Sequence, residues 1–379
     1  MHILIAPDSF KDALSAHEAA IAIETGLLAI NPLLKTTCVP MADGGEGSLD
    51  AIFAATSSYT KQYVNAVDPL GRLLNSFYLY DAAQNTAIVE LAKTAGLQLL
   101  QPRERNVLNT STAGVGITVK KAIAIGAKTL LLCIGGSATN DCGAGMVQQL
   151  GFVFYDEEEK EITKICGGTL HKVKRIAAPA NNTYAHIAFN VLCDVTNPLT
   201  GPAGAVYIYA EQKGIARDDL PFLEKSTQRF GNLLSAYCGK DVNQITGGGA
   251  AGGTAAGMAA LFNAKRVEGF TAIARLTHLE QHIKKSDIVI TGEGKIDATS
   301  VAGKVLSGIA TLCHTYKKPL YVFCGTAYNP ADIIKTLPAI EQILPIADKT
   351  LPLQKNLKKT KKRLMQHARQ LAQHWLSNK

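Results

Sequence analysis

The chain contains no apolar run of membrane-spanning length. Its longest, such as residues 129–135, fall far short of the ~18 residues that a span needs. No basic flank precedes a hydrophobic stretch at the start, where Asp8 arrives almost at once, so a secretory signal is not expected and a cytoplasmic setting is. No CxxC pair occurs among the 8 cysteines, and most of them stand in apolar segments. That argues against a disulfide framework or a zinc site and fits reduced core thiols. The P-loop pattern GxxxxGK[ST] and the nucleophile elbow GxSxG are both missing. So is HExxH: His278 and His282, four residues apart, read as a solvated helix face.

Charge of one sign is also scarce outside one segment. The net charge is +8, but residues 355–379 alone hold eight Lys or Arg and no Asp or Glu, so the rest of the chain balances to zero. A general nucleic-acid or membrane surface is therefore not expected. The 14 prolines are few, and hydrophobic residues make up 47%, which excludes a disordered chain. The 33 glycines cluster in loops without a three-residue period, which excludes a collagen-like one. A length of 379 residues suggests two or three domains.

What is present is an α/β texture at both ends of the chain. Residues 2–6 are a short apolar run, and Ser15 with Glu18 forms a capping box for a helix reaching residue 28. A second strand, loop and helix fill residues 36–55. The pattern returns after residue 287, with strands at 287–291 and 320–324 around a helix at 301–316, and a tight loop at 292–294. Between these, short strands at 59–67, 76–81 and 86–91 lack long helices. A helix is expected at 109–125, a buried strand at 128–134, an amphipathic helix at 218–238 and a small-residue helix at 254–262. We therefore expect an α/β protein of two α/β domains. The first is a doubly wound parallel-sheet domain of the Rossmann or flavodoxin-like kind, built from residues 1–65 and 285–379. The second is an inserted mixed α/β domain, residues 66–284. Function is expected in the cleft between them, at the C-terminal ends of the strands.

Five strands end in loops of one kind, small residues mixed with Asp, Glu, Asn or Lys. They are Pro7-Asp8-Ser9-Phe10-Lys11, Ala42-Asp43-Gly44-Gly45-Glu46-Gly47, Gly135-Gly136-Ser137-Ala138-Thr139-Asn140-Asp141, Cys193-Asp194-Val195-Thr196-Asn197-Pro198 and Thr291-Gly292-Glu293-Gly294-Lys295-Ile296-Asp297. Taken singly, each is most simply a turn with a helix cap. Together, their glycines allow close backbone approach, their carboxylates can hold Mg²⁺ or accept a hydroxyl proton, and their lysines neutralise phosphate, so they favour a phosphate-handling site. Gly247-Gly248-Gly249-Ala250-Ala251-Gly252 satisfies GxGxxG, but residues 240–246 before it make a poor strand. Close helix packing or backbone contact with a phosphate explains it better than a dinucleotide fingerprint.

These loops, with Gln212-Lys213-Gly214, residues 249–253 and Gly303-Lys304, occur in an order that strongly resembles the type-1 glycerate kinase family over nearly the whole chain. The resemblance implies transfer of the γ-phosphoryl group of ATP, with Mg²⁺, to D-glycerate, usually giving 2-phosphoglycerate. Its alternatives are a kinase for another small hydroxy or sugar acid and a non-catalytic small-molecule-binding protein on the same fold. The sequence departs from the family pattern at Ala113, where an aromatic is common, at Cys142, where Gly is, and at Thr299, where Gln is.

On that resemblance, Lys11 and Lys295 are expected to contact phosphate, with Ser9, Ser137, Thr139, Asn140, Gly292 and Glu293 around the nucleotide. Asp194 is the first candidate for base or Mg²⁺ ligand, supported by Asn197, with Asp297 and Glu293 as competitors. Asp43 and Glu46 would hold glycerate hydroxyls or the metal. Arg72 either pairs with the glycerate carboxylate or is a surface turn arginine. Asp8 is read as a helix cap. A homodimer is an open expectation. Leu357, Leu364, Ala368, Leu371 and Trp375 form an apolar stripe at helical spacing in the basic tail. A surface helix on the first domain, dispensable for chemistry, is the expectation, with an RNA-binding arm as its alternative.

Overall fold

A computed structural model describes residues 1–180, 183–297 and 305–377. Its strands are β1 (His2–Ile5), β2 (Lys35–Cys38), β3 (Thr60–Val67), β4 (Leu73–Asp81), β5 (Thr86–Glu90), β6 (Thr129–Cys133), β7 (Val153–Tyr155), β8 (Arg175–Ala177), β9 (Ala188–Leu192), β10 (Lys265–Val267), β11 (Ile288–Ile296), β12 (Leu320–Ala327) and β13 (Ile340–Pro345). The chain divides into two compact units. One comprises Met1–Asp43, Asp50–Ser57 and Phe270–Lys379, the other Gly44–Leu49 and Ser58–Gly269.

The first unit is built on a five-stranded sheet in the order β13-β12-β11-β1-β2, with every pair parallel. Counted within the unit this is the flavodoxin-like order 2-1-3-4-5, and the winding reverses between β1 and β11. The doubly wound sheet expected from the two chain ends is thus observed. The helix Ala16–Leu28 begins at the expected capping box. The Ser15 hydroxyl accepts the Glu18 amide at 3.2 Å, and the Glu18 carboxylate accepts the Ser15 amide at 2.9 Å. The last helix, Leu353–Ser377, packs along it, with Leu364 and Ala368 fully buried in one core with Ile23 and Leu27. The Trp375 and Tyr321 rings meet edge to face at 5.2 Å. The stripe read from the tail is the buried face of this helix, and its lysines lie on the outside.

One expectation for this unit is corrected. Residues 292–294 are not a tight loop: β11 continues to Ile296 and pairs with β12 as far as Ala327. The absent side chain at Gly292 makes this possible, because a Cβ there would lie 2.6 Å from the Phe323 carbonyl oxygen. Of the helix expected at 301–316, Val305–Thr315 is observed. Thr299, Gly303 and Lys304 lie outside the described residues.

The second unit holds a six-stranded sheet, β10-β9-β6-β5-β4-β3. β5, β6, β9 and β10 run parallel, while β3 and β4 extend the sheet antiparallel. The strands follow one another in chain order, so the loops leaving β5, β6, β9 and β10 all emerge at one edge. β7 and β8 form a separate hairpin. The expected helix at 109–125 begins only at Ala113, because Thr112 and the residues before it are drawn into the loop that follows β6. All eight cysteines are free thiols, six of them buried.

Candidate functional site

The candidate residues fall into two groups, one on each unit. In the first unit they surround the reversal point of the sheet, where a doubly wound fold opens a crevice at the carboxyl ends of its strands. The loop after β1 carries Asp8, Ser9 and Lys11, and the Asp8 amide donates to the Gly292 carbonyl at 2.8 Å, tying that loop to β11. A cavity of about 410 Å³ opens there. Asp8, Ser9, Lys11, Glu293 and Lys295 line one side of it, and Asn356, Thr360 and Arg363 of the last helix line another. The Lys295 ammonium lies 2.8 Å from the Asp297 carboxylate, which raises its pKa. The Arg363 guanidinium is held 3.2 Å from Asp348 and bonds to the Asn356 amide oxygen. Structure therefore unites Ser9, Lys11, Gly292, Glu293, Lys295 and Asp297. It adds Arg363, which sequence reasoning had left in a dispensable tail.

Asp8 is not the helix cap that its position suggested, because Ser15 caps the helix that follows. Burial, then the negative charge of Asp43, then that of Glu293, hold its carboxyl well above the usual carboxylate range. The Ser9 amide, which donates to Asp8 Oδ1 at 2.6 Å, opposes this. Three carboxyl groups close enough to repel one another are a cost to the fold. A folded-state pKa above the unfolded one contributes stability below the unfolded pKa that is lost as pH rises through the folded value. Asp8→Asn is therefore expected to raise Tm at pH 7 and to lose that advantage toward pH 4 while activity falls. Thermal melts of both proteins at the two pH values check this, and an Asp8→Asn protein less stable at pH 7 contradicts it.

In the second unit the candidates sit on the loops at the C-terminal edge of the parallel strands. After β6, the residues from Ser137 to Asp141 are all buried. Asp141 anchors this loop: its carboxylate accepts the Thr112 amide and hydroxyl, each at 2.8 Å, and the Gly143 and Gly145 amides. Burial raises its pKa against those four bonds. Asn140 donates to the Thr227 hydroxyl at 3.2 Å, and among the described residues its Oδ1 has no hydrogen-bond partner, nor has Thr139 Oγ1. After β9, Asp194 Oδ1 accepts the Gly269 amide at 2.6 Å. Asn197 is spent on its own loop, donating to the Ala203 carbonyl at 2.9 Å and accepting the Tyr209 hydroxyl at 2.6 Å. Glu46 is exposed beside Gly136, 3.5 Å from where a Cβ on that glycine would lie.

Arg72 follows the tight turn after β3 and is committed to protein partners. Its guanidinium meets Asp68 at 2.5 Å and Glu104 at 2.7 Å, which fits the surface turn arginine that was one of its two readings. Residues 240–246 form no strand, so a dinucleotide fingerprint is not supported, and the glycine cluster packs closely against the loop after β6. The backbone from Ala251 to Gly253 is left-handed, and a Cβ on Gly252 would stand 2.1 Å from the Thr139 carbonyl oxygen. Cys142, where the family pattern has Gly, sits at a φ of 54°, a conformation that glycine adopts more easily.

Two residues that carry the second group were given no role from sequence. The Glu90 carboxylate, at the end of β5, accepts the Gly47 amide at 3.0 Å and the Leu49 amide at 2.9 Å, fixing the loop that bears Glu46. Its only signal was an acid ending an apolar strand. Lys213 is 3% exposed and donates to the Ser137 hydroxyl and the Thr139 carbonyl, each at 2.8 Å. Its sequence neighbours, Glu211, Gln212 and Gly214, carry no sign of burial.

Among the described residues no cluster of three or more His, Cys, Asp or Glu could hold a metal by itself. Mg²⁺ in phosphoryl transfer is held by one or two carboxylates, with phosphate oxygens and water completing its shell, so the carboxylates at the reversal point fit it in that form.

The model of the glycerate kinase family matches residues 3–376. The glycerate kinase of Haemophilus influenzae is 36% identical over 335 residues, 88% of this chain and 88% of that protein. The glycerate 2-kinase of Escherichia coli is 37% identical over 335 residues, 88% of this chain and 87% of that protein. A crystal structure of a putative glycerate kinase 2 from Salmonella typhimurium LT2 superposes with a TM-score of 0.84 at 34% identity, covering 100% of this chain and 99% of that one. This chain belongs to the glycerate kinase family.

Proposed function

We propose that this protein transfers the γ-phosphoryl group of Mg-ATP to D-glycerate and forms 2-phosphoglycerate. The observation that carries the reading is the cavity at the reversal point of the first unit. It collects Lys11, Lys295 and Arg363 beside the carboxylates of Asp8 and Glu293, the charge pattern that a triphosphate and its divalent ion require. Ser9 and Gly292 contribute hydroxyl and backbone contacts. In the second unit Asp194 is the base for the glycerate hydroxyl or a Mg²⁺ ligand. Asp297 is its rival for both roles, and Asp43, with Glu293, is a further oxygen donor. Bound Mg²⁺ would neutralise charge developing on the phosphate oxygens. Glu46 would take glycerate hydroxyls. Ser137, Thr139 and Asn140 are kept as ligand contacts, and Asn197 as a support of the Asp194 loop. That both sets of loops act on one pair of substrates, in the cleft expected from sequence, is part of this proposal.

The relatives named above are called glycerate kinases, and the acceptor is carried over from them. No described helix is long and apolar enough to cross a membrane, and a cytoplasmic enzyme without nucleic-acid partners is the setting proposed. The test is ADP release with Mg²⁺ and ATP across a panel of small hydroxy and sugar acids, with phosphorus NMR of the product. D-glycerate should give the highest kcat/KM, and the phosphate should appear on the 2-hydroxyl. Turnover of another acid but not of glycerate would replace the acceptor, and no turnover with any acid would favour a binding protein on the same fold.

A further inference from the structure

A lysine inside a protein is stable when a carboxylate neutralises it or when it gives up its proton. Lys213 has no ion-pair partner among the described residues, and its amine faces two neutral acceptors, the Ser137 hydroxyl and the Thr139 carbonyl. Asp141 acts on it through space only. Glu211, on the same turn, is engaged 2.9 Å from Arg217, and Gly214 packs against the backbone of Arg105. Burial pushes the Lys213 amine down to about 7, against the field of Asp141.

The hydroxyl that accepts from Lys213 can donate its own hydrogen onward, since a serine is donor and acceptor at once. Thr139, fully buried, carries a hydroxyl with no hydrogen-bond partner among the described residues. The loop therefore holds a buried amine, a hydroxyl that accepts from it and a second buried hydroxyl without a partner among the described residues, an arrangement that an oxyanion would complete. Resting on the reading that this loop contacts substrate, we propose that Lys213 is the counter-ion of an oxyanion site on the Gly135–Asp141 loop, and that ligand binding there draws a proton from solvent onto its Nζ. No bond to the ligand forms: the amine becomes an ammonium, Ser137 Oγ accepts from it, and the Ser137 hydroxyl hydrogen points to the anion. The oxyanion is a phosphate of the nucleotide or the carboxylate of the acceptor acid, and the two are separable by experiment.

The experiment is titration calorimetry at pH 8 in two buffers of different ionisation enthalpy. It uses ADP alone in one arm and D-glycerate alone in the other, with wild type, Lys213→Met and Lys213→Arg. At that pH phosphates and carboxylates are fully ionised, so proton uptake reports the protein. Wild type should take up close to one proton per site in one arm, and that arm names the oxyanion. Its Kd should rise by up to ~tenfold per pH unit above pH 7 and level off below it. Lys213→Arg, charged throughout, should bind without uptake, and Lys213→Met should bind more weakly without uptake. Should either variant fail to fold by circular dichroism, the wild-type uptake and its pH profile decide. Absence of uptake in both arms, or uptake unchanged in the variants, overturns the proposal. A protein that binds with proton uptake yet never releases ADP would sink the kinase reading and leave this one standing.

Discussion

Asp194→Asn lowers kcat by ~10²–10⁴ and leaves the glycerate KM nearly unchanged. The asparagine keeps an oxygen to accept the Gly269 amide, the bond that Asp194 Oδ1 makes at 2.6 Å, so the loop after β9 holds its shape while the charge is removed. A base or a metal ligand acts mainly in the transition state, which is why the loss appears in kcat. Steady-state kinetics at several Mg²⁺ concentrations separates the two roles, because excess Mg²⁺ restores part of the rate to a ligand mutant and none to a base mutant. Near-normal turnover in Asp194→Asn, with a dead Asp297→Asn, would move the catalytic carboxylate to the segment of residues 292–297. There Asp297 already holds Lys295 at 2.8 Å.

Ending the chain after Thr350 abolishes the fold of the first unit, contrary to a tail that could be spared. The Leu353–Ser377 helix closes the core against Ala16–Leu28, with Leu364 and Ala368 at 0% exposure and Leu371 at 4%. Removing it would bare that whole face to water. The single substitution Leu364→Ala is the graded test: a buried Leu replaced by Ala costs ~2–5 kcal/mol, a large share of a domain's stability. Exposed Lys358 and Lys362, replaced by Gln, should change stability by no more than ~0.5 kcal/mol. Urea denaturation of the three proteins checks the contrast. Leu364→Ala unfolding at the wild-type midpoint would show that the helix is not part of the core. Because Asn356, Thr360 and Arg363 of the same helix line the cavity, Arg363→Gln should raise the ATP KM even where the helix remains folded.

How much could be seen in advance follows the range of the forces involved. The capping box at Ser15 and Glu18, the apolar strands at the two chain ends and the stripe in the tail are local patterns. Periodicity and side-chain type declare them without any knowledge of the fold. The loops that bear Ser9, Lys11, Asp43, Ser137 and Asp194, and the end of β11 that bears Glu293, were visible for the same reason, since glycines and charged residues after an apolar run are a contiguous signal. Tertiary structure alone decided which of these meet. The parallel order β13-β12-β11-β1-β2 places residue 8 beside residue 293, a proximity that arises from strand pairing and leaves no mark on either segment. Burial was equally illegible: Lys213 and Glu90 look like surface charges in sequence, and packing from distant parts of the chain puts them inside. The helix at the chain's end carried both lessons. Its amphipathic spacing was set by its own residues, but that Arg363 faces a cavity shared with Lys11 was fixed by where the helix docks. A sequence determines the elements and their faces because those depend on neighbours three or four residues away. The site depends on contacts hundreds of residues apart, which only the folded chain specifies.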